Sequence, residues 1–289
     1  MAAHAACRHA GPGAGEEVPC RHGRRWHGER SDAGRRGRCR RRGNAGMKVE
    51  IVTRRDGEQE IVAYDYVPRD DSEKPMILDV LLQAQANGMP DLAFRYGCRA
   101  RNCGVCTVDI NGRPRIACRA RIKEGDRISP MATLPALSDL VVRRDGVARQ
   151  MRGRLATAGQ GNDLNVSAPD DYHALTGCIE CYACLHECPM HARNFDGGLP
   201  DEQAVEDRPD PAEGYTSGNP FSLLKLQRIR IDPLTSEAGK SSALDNAIDL
   251  GLDACVGCKG CKCGVGIDLI GKVIWPMLEA AGDRLAEKG

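Results

Sequence analysis

The chain has 289 residues, a formal net charge of +1 and 41 % hydrophobic residues, of which few are aromatic. That length leaves room for about two domains, with cores built from Leu, Val, Ile and Ala. The 15 cysteines do not fit a disulfide-rich secreted protein, since no apolar run follows the N-terminal charges, and no stretch of roughly 18 apolar residues reads as a membrane span.

The charge is unevenly spread. Residues 1–46 hold 11 Arg, no Lys and 4 acids, while the remainder holds 30 basic and 36 acidic residues. This segment has 9 Gly and almost no aliphatic residues, too little apolar surface to offset chain entropy, so disorder is expected. Its Ala/Gly/Arg/His bias resembles translated GC-rich non-coding DNA and favours Met47 as the true start. A basic arm for nucleic acid and an organelle transit peptide are the other readings. Cys7, Cys20 and Cys39 show no ligand spacing.

From Met47 the pattern is that of a folded domain, over 47–150. KVEIVTRR and QEIVAYDYV read as two strands joined at Asp56-Gly57. PMILDVLLQAQANG reads as a helix, with Pro75 in its first turn and Gly88 at its end. FRYGCRARNCGVCTVDINGRPRIACRARI follows. Cys98, Cys103 and Cys106 have the C-x4-C-x2-C spacing of a plant-type [2Fe–2S] loop. Asn111-Gly112 predicts a tight hairpin that returns Cys118 as the fourth thiolate. Gly97 and Gly104 allow close backbone approach, and Arg99 and Arg101 stand ready to offset thiolate charge or simply face solvent. A structural zinc site is the alternative, though zinc loops usually pair their ligands more closely.

FRYGCRARNCGVC, with its preceding helix and following hairpin, resembles the N-terminal domain of the iron–sulfur subunits of succinate dehydrogenase and fumarate reductase. The resemblance implies a β-grasp ferredoxin fold here. Small subunits of molybdenum hydroxylases share a similar CGVCTV run.

The remaining residues, 151–289, carry two further cysteine runs. Cys178, Cys181, Cys184 and Cys188-Pro189 form the bacterial C-x2-C-x2-C-x3-C-P run, which molybdenum hydroxylase small subunits lack. In two-cluster ferredoxins the last cysteine of such a run ligates the other cluster. Cys188 is therefore expected to join Cys255, Cys258 and Cys261. Cys178, Cys181 and Cys184 need a fourth ligand, and Cys263 is the candidate left. Gly264 and Gly266 would supply the sharp turn this requires. A fourth position filled by water or a carboxylate is the competing reading. His186 and His191 read as neighbours that tune the surroundings rather than as ligands. A serine-capped helix is expected over SSALDNAIDLGLDA, and an apolar stripe at 270, 273, 274, 277, 278 and 281 predicts a second, kinked at Pro276. Residues 150–170 read as a linker and 196–220 as a surface excursion.

The fold class is thus α+β: a β-grasp [2Fe–2S] domain followed by an all-α ferredoxin-like domain with two cubane clusters. In most members of the resembled family the third cluster is [3Fe–4S], with a non-cysteine where this chain has Cys258. A fourth thiolate implies a fourth iron, hence one [2Fe–2S] and two [4Fe–4S] clusters, or a [3Fe–4S] in the last site without Cys258. This variant also looks like the dicluster segments of heterodisulfide-reductase-like and glycolate-oxidase-type electron carriers. The resemblance covers nearly all of residues 47–289. It implies a subunit passing single electrons between an FAD flavoprotein partner and a quinone, a membrane anchor or another acceptor. Catalytic residues of its own are not expected. The family's quinone site uses Trp residues after the CP, where this chain has MHARN, and often a His where it has Val256. A zinc-structured interaction module and a nucleic-acid-binding protein are readings from other classes; no nucleic-acid partner is expected. Exposed thiolates on low-potential clusters fit a reducing compartment, the cytoplasm or the cytoplasmic face of the inner membrane.

Overall fold

Alternating burial sets the first hairpin. Strand β1 (Met47–Arg55) turns Val49 and Ile51 inward and pairs antiparallel with β2 (Glu58–Tyr66), Arg55 opposite Glu58. The computed structural model describes residues 46–55, 57–69, 74–155, 165–195 and 214–285. The N-terminal segment with Cys7, Cys20 and Cys39, Asp56 of the expected turn, and the stretches 156–164 and 196–213 lie outside the described residues.

Helix α1 (Ile77–Asn87) packs Ile77, Leu78, Val80, Leu81 and Ala84 into the core. Asp79 starts it by accepting a hydrogen bond from the Met76 N–H at 2.8 Å. Pro75 stands just ahead of the helix rather than in its first turn. Strands β3 (Thr107–Ile110) and β4 (Arg113–Ile116) form the expected hairpin, with Asn111 at φ 51° and Gly112 at φ 75°, both left-handed as a type I′ turn requires. With β5 (Arg127–Ser129) the sheet runs β2-β1-β5-β3-β4, and only β1 and β5 are parallel. A two-stranded ribbon, β6 (Ala136–Ser138) and β7 (Val141–Val142), follows.

Among the described residues, every regular element after Val142 is helical: α2 (Asp145–Arg149), α3 (Asp170–Thr176), α4 (Pro189–Ala192), α5 (Pro220–Ile231), α6 (Glu237–Asp249) and α7 (Trp275–Ala281), with short 3-10 turns between. Three differ from expectation. Helix α6 begins at Glu237, capped by Ser236, whose hydroxyl accepts from the Gly239 N–H at 3.1 Å; the serines at 241 and 242 lie inside it. The predicted kink at Pro276 is a π turn over Ile270–Ile274 leading into α7, so the proline's missing N–H falls at a helix start. Helix α5 is the most buried of all, with Leu223, Leu224 and Leu226 sealed from solvent, and no amphipathic stripe marks it in the sequence. Lys225, Gln227, Arg228 and Arg230 alternate with its apolar residues, so the hydrophobic pattern does not gather on one face.

Two hydrophobic cores result, and they interlock. The helical core recruits Met131, Leu134, Val142, Val147 and Met151 from the first half. The sheet core takes in Cys181 and Ala183 from the second. No helix among the described residues is long and apolar enough to cross a membrane.

Candidate functional site

The Asn111-Gly112 hairpin does the work expected of it. Thr107 lies opposite Ile116, and the Ala117 N–H donates to the Cys106 carbonyl at 3.0 Å, which returns Cys118 beside Cys106. Cys98 and Cys103 form a second hydrogen-bonded pair of thiols, as Cys106 and Cys118 do. The two pairs sit in opposite surroundings. Cys98 is exposed, and the N–H groups of Ala100 and Asn102 donate to its sulfur, both at 3.3 Å, lowering its pKa to about 7. Cys106 is buried, and desolvation pushes it up to about 11. Arg99 and Arg101 adopt left-handed backbone conformations in this loop, and the Arg99 guanidinium lies 5.1 Å from the Tyr96 ring.

The second half brings eight cysteines together in two groups. Cys263 lies close enough to Cys178, Cys181 and Cys184 for its charge to raise the pKa of each. Cys188 stands with Cys255, Cys258 and Cys261. Each run thus lends one thiol to the group dominated by the other, the exchange that the spacing predicts. Burial, then neighbouring thiols, pushes Cys255 and Cys261 up to about 12, and Cys184 is held well above the ordinary thiol range for the same reason.

Gly264 makes the exchange possible, though not as expected. Its φ is not in the left-handed range, but a Cβ there would lie 2.9 Å from the Cys181 sulfur and 3.1 Å from the Ala183 Cβ. The glycine gives room for close approach, and the left-handed turn falls at Gly266 instead, with φ +92°. Arg193 pins the other group's ends. Its guanidinium grips Asp253 with both nitrogens, at 2.8 and 3.2 Å, tying the end of α4 beside Cys188 to the turn that carries Cys255.

The thiols around Cys188 enclose space. Cys188, Cys255, Cys258 and Cys261 line a partly open cavity of about 210 Å³, together with Met190, Ile270 and Trp275. Among the described residues no three Cys, His, Asp or Glu side chains converge to hold a single metal ion. Cys188 is buried, Cys255 and Cys261 half-buried and Cys258 exposed, and four thiols around one cavity fit a polynuclear group whose irons replace their protons. Val256 and Trp275 are 65 % and 67 % exposed at this end of the molecule. His191 is buried, its Nε2 2.8 Å from the Thr133 carbonyl oxygen. His186 is half-buried near Glu187. A larger concavity of about 840 Å³, beside β1, β2 and Met89, contains no cysteine or histidine.

Residues that sequence reasoning passed over tie the loops together. Arg144 bonds the loop of Cys103 and the loop of Cys178 at once, donating to the carbonyls of Gly104, at 3.1 Å, and Glu180. The second arginine of an Arg-Arg pair before a short helix gives no local signal of this.

Residues 48–149 match the family model of the 2Fe-2S iron-sulfur cluster binding domain. The chain is 34 % identical over 139 residues to a subunit of the fumarate reductase (CoM/CoB) of Methanothermobacter marburgensis, a match covering 47 % of this chain and 28 % of that protein. It is 30 % identical over 162 residues to a fumarate reductase iron-sulfur subunit of Escherichia coli, covering 51 % and 65 %. It therefore spans less than two thirds of the length of either relative. Its fold is shared with a chain of the Mycobacterium smegmatis Sdh1 complex in the apo form, with a TM-score of 0.68 and 23 % identity, covering 85 % of this chain and 97 % of that one.

Proposed function

We propose that this chain, a homologue of the iron–sulfur subunits of fumarate reductases and succinate dehydrogenases, is the electron-transfer subunit of a complex of that type. Single electrons would pass through it between an FAD flavoprotein partner and a quinone or other acceptor. The observation that carries this reading is the crossed grouping of the second-half cysteines, beside a third set in the matched 2Fe-2S domain. Iron–sulfur clusters, when bound, supply one-electron redox chemistry without proton transfer to a side chain. Cys98, Cys103, Cys106 and Cys118 would hold a [2Fe–2S] cluster. Cys178, Cys181, Cys184 and Cys263 would hold one [4Fe–4S] cluster, and Cys188, Cys255, Cys258 and Cys261 a second.

The chain's own residues set the conditions. Partial burial of Cys184, Cys255 and Cys261 raises the pKa of each, and N–H groups of the Cys98 loop donate to the exposed thiol of the third site. Trp275, 67 % exposed, lines the cavity of the last site, where a membrane anchor or other acceptor partner would meet the chain. Iron and acid-labile sulfide per chain, with EPR of the oxidised protein, test the assignment. About ten irons and no oxidised [3Fe–4S] signal are expected from this cluster set. About nine irons with that signal would remove Cys258 from the ligand set, and zinc in place of iron would overturn the electron-transfer reading.

A second reading has one observation in its favour. The match to the CoM/CoB-type fumarate reductase, together with a cysteine at position 258, fits a heterodisulfide-reductase-like electron carrier. Electron transfer from a co-purified flavoprotein to a quinone through a membrane anchor would decide against it.

A further inference from the structure

We propose that Arg144 is a positioning residue that clamps two cysteine loops together and lends positive charge to the electron path between them. The proposal rests on the reading that Cys98, Cys103, Cys106 and Cys118, and Cys178, Cys181, Cys184 and Cys263, hold iron–sulfur clusters.

The two loops meet at Gly104. This residue lies between Cys103 and Cys106, with φ +64°. A Cβ on it would sit 2.5 Å from the Ile179 carbonyl oxygen and 2.9 Å from the Cys181 nitrogen and Cα. Backbone therefore touches backbone, one loop belonging to each site, with no side chain between them. Through-bond and through-space electron transfer both weaken steeply with distance, so this contact is the short route.

Arg144 holds the contact shut. One guanidinium nitrogen donates to the Gly104 carbonyl at 3.1 Å, and the other donates to the Glu180 carbonyl. The Gly104 oxygen also accepts from the Thr107 hydroxyl at 2.9 Å, which fixes the first loop from its own side. The guanidinium carbon lies 4.8 Å from the centre of the Tyr182 ring, and Tyr182 packs edge-on against Phe221 of α5 at 5.1 Å. Lys225 of α5 reaches the Glu180 carboxylate at 2.6 Å. The second loop is thus braced from behind, and Arg144 presses on its front. Only a planar, forked cation can make two divergent bonds to carbonyls and stack on a ring at the same time.

The charge has a second effect. The Arg144 guanidinium lies close enough to act on the Cys181 thiol. A fixed cation beside a negative, thiolate-bound group favours its reduced, more negative form. Arg144 therefore makes the site of Cys178, Cys181, Cys184 and Cys263 easier to reduce from the neighbouring loop.

Redox titration of the anaerobically purified chain with EPR detection tests this, with iron measured in every sample. In Arg144→Gln the reduced-to-oxidised ratio at the Cys181 site, at fixed ambient potential, is expected to fall by about tenfold, equal to 59 mV for a one-electron couple. Spin–spin broadening between the two reduced sites is expected to weaken as the loops part. Arg144→Lys keeps a cation without the fork, so it should recover most of the potential but not the broadening. Gly104→Ala wedges the loops apart and should weaken the broadening while leaving the potential near that of the wild type. Should Arg144→Gln fail to retain iron, the two milder variants decide. Wild-type potential and broadening in iron-replete variants would overturn the proposal. A wild-type chain purified with little iron would overturn the cluster reading itself, and the clamp with it.

Discussion

Cys98 and Cys106 belong to one site, yet their environments pull their ionisation apart. Two backbone N–H groups hold Cys98 to about 7, while burial lifts Cys106 to about 11. In the metal-free chain at pH 7.5, Cys98 is therefore expected to be the first of these two alkylated by iodoacetamide, and its labelling rate should fall as pH drops below 7. Peptide mapping by mass spectrometry reads both. Asp109 makes a different pH prediction. Burial raises its pKa, although the Ala132 N–H donates to it at 2.9 Å. A carboxylate raised in the fold favours folding while protonated, and that advantage is lost as pH rises from the ordinary carboxylate value through the raised one. Asp109→Asn keeps the acceptor and removes the charge. Its melting temperature should match or exceed that of the wild type at pH 7, and lose ground to it at pH 4. A lower melting temperature at pH 7 would mean that the charge itself is used.

At the scale of elements, what could be read in the sequence and what could not divide by physical cause. The Asn-Gly turn and the cysteine spacings are local signals: the hairpin returns Cys118 beside Cys106, and Cys263 and Cys188 each lie near cysteines of the other run. Helix α5 could not be found by periodicity, because Lys225, Gln227, Arg228 and Arg230 interrupt its apolar residues without leaving a stripe. Its start lies at the end of the stretch read as a surface excursion: Asn219 ahead of Pro220 forms a capping box with Ser222. Asn219 accepts from the Ser222 N–H at 3.0 Å, and its amide donates to Gln150 at 3.2 Å. Gln150 in turn bonds the carbonyls of Tyr215 and Ser217. Arg144 and Gln150, like Arg193, act across long sequence separations and carry no local mark. Asn219→Ala removes a cap, worth about 1 kcal/mol, and leaves the Gln150 oxygen unsatisfied, at a further ~2 kcal/mol. Urea denaturation should show a loss of about 3 kcal/mol. A loss under 1 kcal/mol would mean that water replaces the amide.

For the molecule as a whole, each core draws residues from the other half of the chain, so the halves are expected to melt together rather than in sequence. Calorimetry of the iron-replete chain should show a single transition, and two well-separated peaks would contradict the interlocking seen at Met131, Met151, Cys181 and Ala183. The exchange of thiols between runs has a topological consequence. Helices α5 and α6 lie in the chain between Cys188 and Cys255. Anything bound to both groups would close that segment into a ring, twice over, as a pair of crossing disulfides would. Each closure of several tens of residues removes disorder from the unfolded chain worth on the order of 4 kcal/mol. The bound groups would then be staples as well as carriers. Stripping the iron should lower the melting temperature by roughly 10 °C or more, and hydrogen exchange should open first in the helices the ring encloses.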